Sequence, residues 1–180
     1  MKAPLLKRGL EPLAIASGAR TLILGSFPGD VSLRERKYYA HPQNQFWRIV
    51  SAIYGEPVSD DYGAKVSLLR RNNVVVWDVL HSAERIGSSD SAIRNAIPNK
   101  FEAFFDDHQH IRAIAFNGQK AHAMFYKCVV PSLLAQRHIR AAVLPSTSPA
   151  YTLSFEKKVA VWRAFLNSGQ LSVASPSAED

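Results

Sequence analysis

The sequence predicts an α/β fold: a single domain with a central four-stranded, mainly parallel sheet flanked by helices on both faces. The chain has 180 residues, a length typical of one compact domain. Four short apolar runs are separated by stretches in which apolar residues recur at helical spacing. Strands that alternate with helices along a chain form parallel sheets, and their crossovers are right-handed.

The four predicted strands are TLIL, VVVW, IRAIAF and AAVL, at residues 21–24, 74–77, 111–116 and 141–144. None of these runs is long enough to predict a helix, and β-branched residues favour strands in the first two. Each run is followed by glycine, proline or a polar residue, which marks the end of the strand.

Four helices are predicted between and after these strands. The first begins at Asn44 and is ended by Gly55, and the second follows Pro98. The third follows Gly118, and the last follows Ser154, a residue type favoured as an N-cap.

We assign residues 1–170 to the domain and interpret residues 171–180, which are small, polar and acidic, as a frayed tail. Residues 56–73 and 81–97 are the longest irregular stretches, and either could carry a short helix. We expect neither a membrane span nor a signal peptide, because no apolar stretch is long enough. The single cysteine, Cys128, excludes an internal disulfide framework and fits a reducing cytoplasm.

The chain is basic, with a formal net charge of +7 and a pI of about 9.7. A basic surface favours polyanionic partners through phosphate contacts. A surface charged only for solubility explains the same composition equally well.

The polar residues fall where a site is expected. In open α/β sheets, sites form beyond the carboxyl ends of the strands. The four predicted strands run into GSFPG at 25–29, Asp78, Asn117-Gly118 and PSTSP at 145–149. The sequence therefore predicts one composite site at this edge of the sheet.

Residues 25–47, GSFPGDVSLRERKYYAHPQNQFW, contain groups suited to a nucleic acid. The first loop can turn backbone N–H groups toward an anion or a carbonyl oxygen. Three basic side chains could hold phosphates and two rings could stack on a base: Arg34, Arg36, Lys37, Tyr38 and Tyr39. The alternative is a turn, a solvated charged loop and two half-buried tyrosines.

Two asparagines and a proline-bounded loop complete the candidate site. Asn117 could read the edge of an extruded base, since an amide is both donor and acceptor, or it could form a simple Asn-Gly turn. Asn44 is a good N-cap, and a second role requires that the cap does not use its whole side chain. LPSTSPA at 144–150 is either a rigid loop that grips DNA or a stiff turn before the last helix.

Together these segments resemble a family. YYAHPQNQFW at 38–47 resembles the stretch found in mismatch-specific uracil-DNA glycosylases and in hypoxanthine-DNA (deoxyinosine) glycosylases, branches of the uracil-DNA glycosylase superfamily. LPSTSPA, AFNG and residues 77–101 are similar to the hypoxanthine branch. The resemblance covers about residues 20–166.

The resemblance implies a uracil-DNA glycosylase-like fold and a role in base-excision repair, in which the protein flips a deaminated base out of DNA and hydrolyses its N-glycosidic bond. Hypoxanthine is the base it favours. Asn44 matches the asparagine proposed as catalytic in that branch. Tyr39 matches the ring that stacks on the flipped base, and Asn117 the base-reading strand end. The resemblance further implies base contacts from Ser26 and Phe27, and DNA contacts from Ser146, Thr147, Ser148 and Pro149.

The sequence also suggests the chemistry. A neutral amide such as Asn44 is no strong general base, so we expect it to position a water or the base. We expect no metal and no cofactor, because the six histidines lack ligand spacing. Nothing marks Lys120 as a Schiff-base lysine, so the activity should be monofunctional. Asp78 either acts in the site or terminates its strand, and we favour the structural role.

The sequence departs from the uracil-excising pattern at two positions. Phe27 stands where those relatives carry a polar catalytic residue, and Leu144 stands where other branches carry histidine or asparagine. Both departures disfavour strong uracil excision. Tyr151 stands where a small polar residue is expected, which leaves the wedge geometry open.

Other functions stay open beside hypoxanthine excision. A broader glycosylase acting on uracil or xanthine and a non-catalytic damage sensor on the same fold are the main alternatives. A small-molecule α/β hydrolase is disfavoured, because no G-x-S-x-G sequence is present. We expect a monomer.

Overall fold

The computed structural model describes residues 5–87, 89–129 and 132–168. Within these ranges the chain forms seven strands: β1 (Leu6–Arg8), β2 (Thr21–Gly25), β3 (Val74–Asp78), β4 (Leu80–Glu84), β5 (Arg94–Pro98), β6 (Ala113–Asn117) and β7 (Arg140–Leu144). The same ranges contain seven α-helices: α1 (Asp30–Glu35), α2 (Phe46–Tyr54), α3 (Tyr62–Arg71), α4 (Phe101–Asp107), α5 (Gln119–Cys128), α6 (Ser132–Gln136) and α7 (Phe155–Asn167). The predicted polar tail at 171–180 lies outside the described residues.

The four predicted strands form one sheet in the order β3-β2-β6-β7, and every neighbouring pair in it is parallel. The predicted α/β class and four-stranded sheet are therefore confirmed. Every residue of β2 and β3 is buried, so both faces of the sheet are covered. Parallel strands need this cover, which is why their sequences are continuous apolar runs.

The strand order creates a crevice at the centre of the sheet. From β2 the chain moves out to β3, then returns past β2 to β6 and β7. With right-handed crossovers, this reversal puts the intervening helices on opposite faces. It also opens a crevice between the carboxyl ends of β2 and β6, where ligands bind in folds of this kind.

The strand ends lie at one level along that edge. Gly25 at the end of β2 is paired with Asp78 at the end of β3. Asn117 at the end of β6 is paired with Leu144 at the end of β7. The loops that follow all four strands therefore start side by side.

A second sheet, antiparallel in the order β1-β4-β5, was not predicted. Residues 81–97, expected to be irregular or helical, instead form most of β4 and β5, with a short 3-10 helix at Asp90–Ala92. The first four residues of β5 are exposed and its register on β4 is irregular, so no alternating pattern marks it. The helix expected within 56–73 is present as α3.

The predicted helices are present with small shifts at their ends. The first begins at Phe46 rather than at Asn44, and Gly55 ends it with a left-handed φ of 69°. Ser154 caps α7 as predicted, with its hydroxyl accepting a hydrogen bond from the Lys157 amide. The short helices α1 and α6 were not predicted. None of the helices in the described ranges is long and apolar enough to cross a membrane.

Candidate active site

A cleft of about 640 Å³ opens at the carboxyl edge of the parallel sheet. Its walls come from the loops after β2 and β7, from the last residues of β3 and β6, and from the segment before α2. The predicted site residues that line it are Ser26, Phe27, Tyr39, Asn44, Asn117, Ser146, Thr147, Ser148 and Pro149. The fold therefore brings together segments that lie more than a hundred positions apart in the chain.

Two glycines let the strand-end loops approach closely. A Cβ at Gly25 would lie 2.3 Å from Oδ1 of Asp78, which occupies the space beside it. Gly118 has a φ of 94°, and a Cβ there would lie 3.0 Å from Cβ of Ser146. Side chains at these two positions would push apart the walls of the cleft.

Tyr39 forms a fixed aromatic platform in the cleft. Its φ of 52° is left-handed, unusual for a residue with a side chain. Its ring stacks on the buried Phe46 at a centroid distance of 4.0 Å and an interplanar angle of 23°. Burial, with a smaller contribution from the Asp78 carboxylate, raises the pKa of Tyr39 well above its usual value, so the phenol stays neutral.

The Asn117 amide is the central hydrogen-bonding group of the site. Its Nδ2 donates to the Tyr39 hydroxyl at 3.0 Å and to Oγ1 of Thr147 at 2.9 Å. Its Oδ1 accepts from the Thr147 backbone amide at 2.9 Å. Both amide hydrogens are used in these bonds, so one lone pair of Oδ1 is what Asn117 can still offer a base.

Asn44 combines a local structural bond with a free donor group. Its Oδ1 accepts from the Phe46 amide at 3.0 Å, two residues ahead, at the entry to α2. Among the described residues its Nδ2 has no hydrogen-bond partner, and the side chain lines the cleft. Gln45 rather than Asn44 is the N-cap of α2, so the predicted cap was wrong, and the local bond to Phe46 leaves the Asn44 NH2 available to a ligand.

The first loop, residues 26–29 between β2 and α1, is held by a buried arginine whose burial the sequence did not predict. The Arg85 side chain has no exposed surface, and its guanidinium donates to the Pro28 carbonyl. The same group lies 3.5 Å from Oδ1 of Asp30 and 5.0 Å from the centroid of the Phe27 ring. Asp30 also accepts from Lys7 Nζ at 2.6 Å, which ties the loop to β1.

The second loop, residues 145–151, is held from its inner side. Thr147 is fully buried, which does not fit the predicted direct contact with DNA. Its carbonyl accepts from the Gln45 amide at 3.0 Å, and its side chain and amide bond Asn117. Ser146 and Ser148 are half-buried and Pro149 is exposed, so these three can still reach a ligand at the cleft.

The predicted phosphate ligands lie outside the cleft. Arg34 and Arg36 line a separate depression together with Lys7 and Arg8. Lys37 is exposed, with its Nζ 5.6 Å from the centroid of the Tyr62 ring. Arg34, Arg36 and Lys37 lie in or directly after α1 and do not line the cleft.

Two buried cations behind the cleft were missed by the sequence reasoning. Arg85 follows β4 in a stretch with no periodicity, so nothing in its sequence indicates burial. Lys158 has a detectable signal, because it lies three residues after Phe155 and four before the buried Trp162. That spacing puts it on the buried face of α7.

The family follows from comparison with known proteins. Residues 14–167 match the model of the uracil DNA glycosylase superfamily. The chain belongs to this superfamily. A curated protein named hypoxanthine DNA glycosylase from Methanosarcina acetivorans is 35% identical over 161 residues, which cover 89% of this chain and 98% of that protein. A protein of the same name from Methanosarcina barkeri is 39% identical over 116 residues, 64% of this chain and 73% of that protein.

A solved structure shares the superfamily fold. The solution NMR structure of a candidate uracil DNA glycosylase from Methanosarcina acetivorans superposes with a TM-score of 0.77 at 34% identity. The match covers 92% of this chain and 99% of that one. The uracil DNA glycosylase-like fold expected from YYAHPQNQFW and LPSTSPA is therefore confirmed, as is the resemblance to the hypoxanthine branch.

Proposed function

We propose that this protein is a monofunctional DNA glycosylase that flips a deaminated base, hypoxanthine above all, into the cleft and hydrolyses its N-glycosidic bond. The observation that carries the proposal is that the Tyr39 platform and the free Asn44 amide line one cleft of about 640 Å³. A volume of this order suits a small organic ligand. The superfamily membership and the two hypoxanthine DNA glycosylase relatives support the same class of substrate.

The platform suits a flat, uncharged base. Phe46 covers one face of the Tyr39 ring, so the opposite face is the one that an entering base meets. Stacking of a base on an aromatic ring contributes roughly 1–3 kcal/mol. This contribution offsets part of the few kcal/mol that extrusion from the duplex costs.

The donors around the cleft suit the departure of the base. As the glycosidic bond breaks, the sugar becomes oxocarbenium-like and negative charge develops on the base. The Asn44 NH2 and the backbone amides of the first loop are polar donors set by the fold, which is the arrangement that stabilises developing charge. A water oxygen then bonds C1′, the C1′–N bond is broken, and the water proton ends on the base.

Asn44 serves this step as an orienting group rather than a strong base, since an amide does not accept a proton at neutral pH. No residue of the proposal forms a covalent bond to the sugar. The product is therefore the free base and an abasic site.

The proposal includes action as a monomer in the cytoplasm. The single exposed thiol, Cys128, fits a reducing compartment. Sedimentation velocity with and without a duplex oligonucleotide measures the oligomeric state.

The decisive experiment is base release from matched duplexes that contain hypoxanthine, uracil or xanthine, followed by alkaline cleavage at abasic sites. Wild type should act mainly on hypoxanthine. Asn44→Ala should lower the single-turnover rate about 100- to 1,000-fold, the effect of removing one preorganised donor. Asn44→Ser keeps an oxygen that can accept from the Phe46 amide but lacks the NH2, and it should be as slow. Gln43→Ala, at an exposed neighbouring position, should behave as wild type.

Two results would redirect the proposal. Uracil as the main substrate would assign the protein to a broader deaminated-base specificity and remove the argument from Phe27 and Leu144. Tight binding to damaged duplexes without base release would favour the non-catalytic sensor.

A further inference from the structure

A buried lysine lies behind the second loop. Lys158 on α7 has 1% of its surface exposed. Its Nζ donates to Oε1 of Gln45 at 2.8 Å and to the Tyr151 carbonyl at 2.9 Å. The same Nζ lies 5.4 Å from the centroid of the Tyr151 ring. No carboxylate among the described residues lies within ion-pair distance of it.

These bonds extend the network of the site to its rim. Gln45 immediately follows Asn44, and its amide donates to the Thr147 carbonyl at 3.0 Å. Thr147 in turn bonds Asn117, which bonds the Tyr39 hydroxyl. A continuous chain of hydrogen bonds therefore runs from the aromatic platform to Tyr151, which is 47% exposed at the edge of the cleft.

We propose that Lys158 is a positioning residue that locks the second loop to the start of α2, so that the segment carrying Asn44 and the loop beside the flipped nucleotide keep a fixed separation. This inference rests on the proposed function of the cleft. Lys158 itself is sealed behind the loop and acts through Gln45 and Tyr151. Its two anchor points lie 113 and 7 positions away along the chain, on the two segments it joins.

Stability alone does not explain a lysine here. Burying an ammonium without a carboxylate partner is unfavourable, and an apolar side chain of similar length commonly stabilises such a position. Burial also lowers the pKa of Lys158, the sign of a desolvated ammonium. The Lys158 ammonium donates to both segments at once, which an apolar side chain cannot do. These two hydrogen bonds fix the distance between the start of α2 and the second loop.

The test compares Lys158→Met with Lys157→Met, an exposed neighbour on the same helix. We expect Lys158→Met to keep or raise the Tm and to slow the single-turnover rate at saturating enzyme about 10- to 100-fold, as expected for a misplacement of about 1 Å. KM should change less than kcat, because the variant removes no group that lines the cleft and only alters the separation of groups that act in the reaction. Lys157→Met should match wild type in Tm, single-turnover rate, KM and kcat.

A second variant separates positioning from folding. Gln45→Leu removes one anchor of Lys158, so its rate loss and that of Lys158→Met should not add in the double variant. Additive losses would overturn the proposal. A Lys158→Met protein with the wild-type rate would overturn it as well. So would a loss of rate that is accompanied by a lower Tm.

Hydrogen exchange tests the role of Lys158 without relying on catalytic activity. Exchange of the Gln45 amide, which bonds the second loop, should be about 10-fold faster in Lys158→Met than in Lys157→Met. If wild type releases no base, the proposed function fails while this measurement still decides whether Lys158 locks the loop. Unchanged exchange at Gln45 would overturn the lock whatever the activity.

Discussion

The first and second loops form opposite walls of the same cleft and are held in opposite ways. The first loop is held from outside the parallel sheet, by the Arg85 guanidinium that follows β4 and by Lys7 of β1. The second loop is held from inside, by the Asn117 amide at the end of β6 and by Lys158. Charges of both signs meet at the first loop, whereas an amide and an ammonium hold the second.

The two loops therefore depend on different parts of the molecule. The first loop depends on Lys7 of β1 and on Arg85, which directly follows β4, so changes in the antiparallel sheet reach this loop. The second loop is tied to the same residues that hold the Tyr39 ring, so any change there reaches the platform. We therefore expect substitutions at the second loop to affect activity more than stability, and substitutions at the first loop to affect both.

The largest effect is expected at Asn117. Asn117→Leu removes three hydrogen bonds and leaves Thr147 and Tyr39 without their partners in that network. Each buried group left unsatisfied costs about 1–3 kcal/mol, and the second loop should shift away from the platform. Single-turnover base release should fall about 100-fold or more.

Asn117→Asp is the matched control for this variant. It keeps the oxygen that accepts from the Thr147 amide and loses the two donated hydrogens. Its activity and urea midpoint should lie between those of wild type and Asn117→Leu. Equal activity of all three proteins would show that the second loop does not depend on Asn117.

The next effect is expected at Arg85. Arg85→Met removes the bond to the Pro28 carbonyl and the contact with Asp30, and should lower the free energy of unfolding by about 2 kcal/mol. Lys7→Met removes only the outer ion pair with Asp30 and should cost about 1 kcal/mol or less. Urea unfolding of both variants checks the order, and a larger loss for Lys7→Met would reverse the assignment of the inner anchor.

High pH should lower the free energy of unfolding through two tyrosines that line the cleft, Tyr38 and Tyr39. Burial, then the Asp78 carboxylate, raises the pKa of Tyr38 and of Tyr39. The unfolded chain releases these protons near pH 10 and the folded chain retains them. Their contribution to stability is therefore complete below about pH 10 and is lost as the pH rises further, by about 1.4 kcal/mol per pH unit for each group.

Urea midpoints measured from pH 9 upward test this dependence. Tyr38→Phe should flatten the alkaline fall in stability. Tyr54→Phe should flatten it over a narrower range, because burial raises the pKa of Tyr54 only to about 12. Parallel curves for wild type and Tyr38→Phe would contradict the prediction.

The smallest effects are expected at the cations beside the first loop. Loss of one phosphate contact should reduce the slope of log Kd against log salt by about 0.9. We expect this reduction for each of three single variants: Arg34→Ala, Arg36→Ala and Lys37→Ala. The single-turnover rate at saturating enzyme should not change. Arg137→Ala, near the amino end of β7, is the control and should leave the slope unaltered.

The sequence was sufficient for the parallel sheet because burial on both faces makes its strands continuous apolar runs. It was not sufficient for β5, whose first four residues are exposed and show no apolar run or alternation. Tyr39, Asn44 and Asn117 could be predicted as neighbours, because parallel strands end at one edge and a family motif places the remaining segment. Their roles in the reaction stay predictions.

The buried cations could not be predicted from the sequence in the same way. Arg85 bonds a carbonyl 57 positions away, and Lys158 bonds a side chain 113 positions away. The burial of a charged group depends on partners that only the folded chain brings together. The Lys158 helical spacing indicates which way the side chain faces, but not what it bonds.

The left-handed turn at Tyr39 has a consequence for how the protein would search DNA. The turn and the Phe46 stack set the ring during folding, so the receiving surface requires no rearrangement when a nucleotide arrives. On the proposed function, the time spent at each base pair then depends on how readily the duplex opens there. Mismatched pairs open at the lowest cost, so a rigid receiver samples lesions ahead of sound bases before any chemical group is read.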